Sequence, residues 1–201
     1  MQGWDNFIVS PIDSRYNNTK KVGDVDLILN TEIFTYKNVS NNAIVVGLPK
    51  NKQTDIQIGD EVIIHHNVFR RWHDVRGVEK NSNSFFTEDK YFVYEDQLYI
   101  YKHKDQWKSL DEYCFVKPIA NDDMFSLEKE KPLVGIVKYS NDVLKDKGID
   151  VGDKVGFTPG SEFEFIIENE LVYRVRTKSI TIKYEYEGEE REYNPSWLQS
   201  S

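Results

Sequence analysis

The chain has 201 residues, 39% hydrophobic and 30% charged, with a formal net charge of -8. That length holds one large β domain or two small ones, and the acidic balance argues against a general nucleic-acid or anionic-membrane binder, which carries a positive field. A single cysteine, Cys114, rules out a disulfide framework and a thiolate zinc site. No apolar run approaches the roughly 20 residues that span a bilayer, and "MQGWDNFIVS" has no signal-peptide pattern, so a soluble cytoplasmic protein is expected.

In chain order, apolar residues recur with a period of two, the mark of half-buried strands. "DNFIVSPI" (5–12) is the first such run, and "KKVGDVDLILNTE" (20–32) carries three consecutive aliphatic residues. "NAIVVGLP" (42–49) follows, then "IQIGDEVII" (56–64). In the latter, Gly59 suits a positive φ, which disfavours any residue with a Cβ, and Asp60 suits a carboxylate that accepts nearby backbone N–H groups. The stretch is therefore predicted to be a tight turn launching a strand. "HHNVFRRWHDVRG" (65–77) concentrates histidine, arginine and tryptophan, and "YFVYEDQLYIYK" (91–102) returns to strand alternation.

The same sentence is then written again. "EYCFVKPI" (112–119) answers "DNFIVSPI", "VGIVKYSN" (134–141) answers "NAIVVGLP", and "IDVGDKVGF" (149–157) repeats the Gly-Asp turn at Gly152 and Asp153. "YRVRTKSITIKY" (173–184) lines up with 91–102, placing Ile180 and Ile182 over Leu98 and Ile100. "NDVLKDKG" (141–148) offers the one helical turn, stopped by Gly148, and "EFEFIIENELVYRVR" (162–176) reads as a strand. Four segments recurring in one order indicate tandem duplication; the alternative is one irregular sandwich.

The copies differ in two places. Between the Pro-Ile strand and the next one, the first copy runs from Asp13 to about Asn42, roughly twice the stretch from Ala120 to about Val134. Loops beyond about 12–15 residues are unusual without a function or disorder. The first copy is also about eleven residues longer after its turn, near 65–86.

This order of segments resembles the GroES-like co-chaperonins. The family opens with an Asp-containing strand, here "WDNFIVSPI", followed by a long flexible loop with an aliphatic triplet, a Gly-hydrophobic-Val strand, a "VGDxV" turn and a closing strand, here "QLYIY". Residues 4–102 resemble the whole pattern; about 110–185 resemble the barrel strands without the long loop. The resemblance implies an all-β fold of two tandem small GroES-like barrels. The first, 1–108, would hold a mobile loop at about 13–42 and the insertion at about 65–86; the second would span 109–188, and 189–201 would be a polar, frayed tail. It further implies a homo-oligomeric ring, in this family usually a heptamer, that caps a chaperonin and assists ATP-dependent folding of client proteins. The loop docks on the chaperonin apical domains, through residues corresponding to Gly23, Val25, Leu27, Ile28 and Leu29. ATP is used by the chaperonin, not the cap. From the residues themselves, the absence of a His-x-His pair, a P-loop, a Gly-x-Ser-x-Gly and a dinucleotide glycine pattern leads to the expectation of no enzyme, no cofactor and no metal. Ring contacts in the family pair edge strands of neighbours, which points to Phe7, Ile8, Val9, Leu98 and Ile100. A shortened roof segment (47–57), the insertion and the second barrel resemble bacteriophage-encoded members, for which a capsid protein is the expected client and the host cytoplasm the location.

The triplet also makes physical sense as a weak, reversible anchor. Three buried aliphatic side chains give roughly 5–9 kcal/mol, and ordering a flexible loop takes back about 2–5 kcal/mol; a ring of such loops gains avidity. The competing reading makes "VDLILNTEIF" an ordinary strand with Val25, Leu27 and Leu29 on one face. At the level of function, the alternative is a phage structural or tail-associated β-barrel that binds no chaperonin. His65, His66 and His73 could suggest a metal, but adjacent histidines on a strand face opposite ways. Phe69, Arg70, Arg71, Trp72 and Arg76 could stack on single-stranded nucleic acid, against the acidic whole, so neither nucleic acid nor membrane is expected as a partner. Packing of arginine stems and aromatic rings is the simpler reading of that cluster.

Overall fold

A computed structural model of the chain describes residues 1–16, 19–22, 25–28, 39–123, 126–186 and 188–195. Among the described residues the fold is all-β apart from one short helix and a few 3-10 turns, and the chain divides into two compact units, Met1–Gln106 and Trp107–Ser201. In the first unit the strands are β1 (Phe7–Pro11), β2 (Thr19–Val22), β3 (Val25–Ile28), β4 (Asn42–Gly47), β5 (Glu61–Ile64), β6 (Arg71–His73), β7 (Glu79–Asn81), β8 (Phe85–Thr87), β9 (Lys90–Val93) and β10 (Leu98–His103). Lys104 and Asp105, both at positive φ, turn the chain into β11 (Gln106–Ser109), where one unit ends and the next begins. The second unit has β12 (Tyr113–Ala120), β13 (Glu130–Tyr139), the helix α1 (Asp142–Asp146), β14 (Lys154–Phe157), β15 (Phe163–Ile167), β16 (Glu170–Arg176) and β17 (Ile180–Lys183).

The two units share one antiparallel topology. The first sheet runs β11-β10-β5-β4-β1-β9-β8 and the second β17-β14-β13-β12-β16-β15; with β11 set aside, the two orders match position for position. Register agrees residue by residue: Val9 faces Val45 and Tyr91, and Val116 faces Val137 and Tyr173. Both opening strands shift register at the same place, between Ile8 and Val9 and between Phe115 and Val116. Leu98 and Ile100 pair with Ile64 and Ile63, as Ile180 and Ile182 pair with Phe157 and Gly156.

The Gly-Asp turns coincide down to their hydrogen bonds. Gly59 (φ +97) donates to the Val45 carbonyl at 2.8 Å, and Gly152 (φ +93) donates to Val137 at 2.8 Å. The Asp60 carboxylate accepts from the Gln57 N–H at 2.7 Å; Asp153 accepts from Asp150 at 2.7 Å. Each aspartate thus closes the turn that its glycine makes possible.

Core positions match as well. In the second unit Cys114, Val116, Val137, Ile149, Val155, Phe157 and Val175 form one buried cluster with Leu144. The corresponding Phe7, Val9, Val45, Ile56, Val62, Ile64 and Val93 are buried in the first. Asn141 caps α1 by accepting from the Leu144 N–H at 2.9 Å. It is fully buried, and its amide nitrogen also reaches the Tyr113 carbonyl at 2.6 Å and the Thr177 hydroxyl at 2.8 Å.

Several expectations change. Both sheets have linear strand orders whose end strands do not pair with each other among the described residues, so the hydrogen bonding does not close a barrel. The run 162–176 is a hairpin rather than one strand, because Glu168 and Asn169 adopt positive φ (51 and 60) between β15 and β16. The stretch read as a frayed tail is fastened as far as the structure describes it. Tyr193 donates to the Pro118 carbonyl at 2.8 Å, Ala120 to Arg191 at 2.8 Å, and the Glu190 carboxylate holds the Lys131 and Lys154 ammonium groups. Among the described residues no helix is long and apolar enough to cross a membrane.

Candidate functional site

Among the described residues, the first unit carries two elements that the second lacks. One is the hairpin β2–β3, within the long connection between β1 and β4; the other is the hairpin β6–β7, within the longer connection between β5 and β9. The β2–β3 hairpin is a two-stranded sheet of its own, in register Thr19 with Ile28, Lys20 with Leu27, Lys21 with Asp26 and Val22 with Val25. Val25, Leu27 and Ile28 therefore lie on a strand, but on one that joins neither large sheet. Gly23 and Leu29 lie outside the described residues.

The β6–β7 insertion meets the base of the long connection. Where the chain leaves β1, Arg15 accepts the Ser40 N–H at 2.9 Å and Tyr16 bridges Val39, so both ends of the connection are drawn together. Tyr16 and Val39 are buried. Arg15 donates to the Phe69 carbonyl at 3.0 Å and to the Asn81 side chain at 3.0 Å, and its guanidinium lies 5.0 Å over the Tyr91 ring. Burial pulls that guanidinium below its ordinary value, partly offset by Tyr91. Arg71 donates its N–H to the Tyr16 hydroxyl at 2.7 Å and lays its guanidinium 4.9 Å over the Tyr16 ring. Phe69 packs edge-on against Tyr91 at 4.8 Å, and the Ser82 hydroxyl donates to Val68 at 2.6 Å. The insertion is thus a clamp on the root of the hairpin-bearing connection, with cation–π contacts and charge-assisted bonds fixing it.

The histidine reading needs correction in its premise. His65 and His66 do not alternate along a strand, because His66–Val68 is a 3-10 turn; their rings lie 4.3 Å apart, and His65 Nδ1 accepts the Asn67 N–H at 3.0 Å. His73 sits separately on β6.

The candidate ring contacts fall in the core. Phe7, Ile8 and Val9 are at most 4% exposed, on a strand hydrogen-bonded by β4 on one side and β9 on the other. Leu98 and Ile100 are fully buried on β10. β1 lies inside the sheet, with Ile8 to Pro11 paired to β4 and Phe7 to Val9 paired to β9. Arg15 and Tyr16, the residues that tie the root of the connection, were not singled out from the sequence; the one signal available was the Arg-Tyr pair just past the opening strand. Compared with known proteins, the chain matches no family model and no curated protein.

Proposed function

We propose that the protein is a co-chaperonin of the GroES-like kind, a phage-encoded form with two tandem units that caps a bacterial-type chaperonin ring. The observation that supports this reading is the β2–β3 hairpin: an aliphatic stretch, Val25 to Ile28, on a two-stranded sheet separate from both large sheets, its connection clamped at the root, and found among the described residues in only one of two units that share a strand order. A scaffold duplicated for structure alone has no use for a fastened aliphatic hairpin on one copy. In this reading the hairpin docks in an apolar groove of the chaperonin apical domain, ATP is handled by the chaperonin, and a homo-oligomeric ring supplies several weak anchors at once. The client is a large folding substrate such as a capsid protein, in the host cytoplasm. Native mass spectrometry of the purified chain, followed by co-sedimentation with a bacterial chaperonin with and without nucleotide, tests it. A ring that co-sediments only with nucleotide supports the proposal; a monomer that never co-sediments favours a structural β protein instead.

A further inference from the structure

The duplication permits a comparison inside one chain. In the first unit Tyr91 is 1% exposed, because Arg15 lies over its ring and Phe69 packs on its edge. Its counterpart in the second unit is Tyr173, since Val9 and Val116, which face the two tyrosines, hold equivalent places. Among the described residues the second unit has no counterpart of the clamp, and beside Tyr173 there is a cavity of about 340 Å³. It is lined by Phe157, Leu133 and Tyr173 together with Glu130, Glu128 and Glu162. The Tyr173 hydroxyl donates to Glu130 Oε1 at 2.7 Å, while Glu130 Oε2, also shielded from solvent, has no hydrogen-bond partner among the described residues. A shielded carboxylate oxygen left unpaired is costly. Leu133 is held at φ +60, a strained position for a bulky side chain, of the kind that concentrates at ligand sites. The nearby Lys131 ammonium is engaged by Glu190, and Lys129 stands at the exposed rim.

We infer that this cavity is a receptor for an arginine side chain presented by a partner polypeptide, with the guanidinium on the Tyr173 ring and Glu130 as its counter-ion. The first unit covers the equivalent tyrosine, Tyr91, with its own Arg15; beside Tyr173 the second unit has a cavity lined with carboxylates, which suits a planar cation that donates in a fork and stacks on an aromatic face. The test uses the full chain with labelled leucine methyls, titrated with a short extended peptide holding one arginine, the same peptide with glutamine there, and free N-acetyl-arginine amide. The expected result is a saturable shift of the Leu133 methyls by the arginine peptide. It should bind at least tenfold more tightly than the other two and lose at least tenfold on Glu130→Gln, with Glu162→Gln a milder second variant. No saturable shift, equal binding of the glutamine peptide, free arginine amide binding as tightly as the peptide, or indifference to both variants would overturn the inference.

Discussion

The Tyr16 hydroxyl accepts the backbone N–H of Arg71 at 2.7 Å, across 55 positions of sequence, and so joins the two segments that set the first unit apart from the second. Removing that hydroxyl by Tyr16→Phe leaves the Arg71 N–H without its acceptor, at about 1–2 kcal/mol. Urea unfolding should show that loss, and hydrogen exchange should show the Arg71 amide opening faster while the Gly152 amide, in the other unit, is unchanged.

The paired turns predict a paired response. At Gly59 and Gly152 an added Cβ meets no atom within 4 Å, so substitution by alanine is opposed by backbone conformation alone. Gly59→Ala and Gly152→Ala should each lower stability by about 1–2 kcal/mol, measured by thermal unfolding, and a large difference between them would argue against the equivalence of the two turns.

Cys114 is fully buried, and burial pushes its thiol up to about 12. It should fail to react with a thiol reagent near neutral pH and react fully in denaturant, since the thiolate is the reactive form.

Two glutamates of the second unit should respond to pH with opposite sign. Glu190 lies below its ordinary value because the Lys131 and Lys154 ammonium groups hold its carboxylate. Its stabilising contribution is present above the ordinary glutamate range and is lost as pH falls through the lowered value. Glu130 lies above its ordinary value, chiefly through burial, and its protonated form is the one the fold favours. That contribution is present below the ordinary range and lost as pH rises through the raised value. Unfolding temperatures followed from acid to neutral pH should therefore show Glu190→Gln weakening the protein most at neutral pH, and Glu130→Gln leaving it as stable or more so there.

Asn141→Ala removes a helix cap and leaves buried carbonyls unpaired, for a loss of about 2–3 kcal/mol by urea unfolding.

How far the sequence discloses this architecture depends on how local each signal is. The Gly-Asp turns were legible because a positive φ and a turn-closing carboxylate demand particular residues at adjacent positions, and the α1 turn at Asn141–Gly148 was legible for the same reason. The alternation that marks strands was equally plain, but it ran through Glu168 and Asn169 without a break, so a hairpin there read as one strand. It also could not say which strand lies in the middle of a sheet, and so β1, held between β4 and β9, passed for an edge. The clamp was invisible, because the contacts of Arg15 with Phe69 and Asn81 span more than fifty positions and no short pattern encodes them.

The central claim is that the aliphatic hairpin is a chaperonin anchor, and one measurement addresses it most directly: nucleotide-dependent binding of the full chain to a bacterial chaperonin, compared with Ile28→Asp. A charge at Ile28 should abolish binding while the native mass and unfolding temperature stay as they were. Undiminished binding by Ile28→Asp, or no binding by the unmodified chain in any nucleotide state, would contradict it.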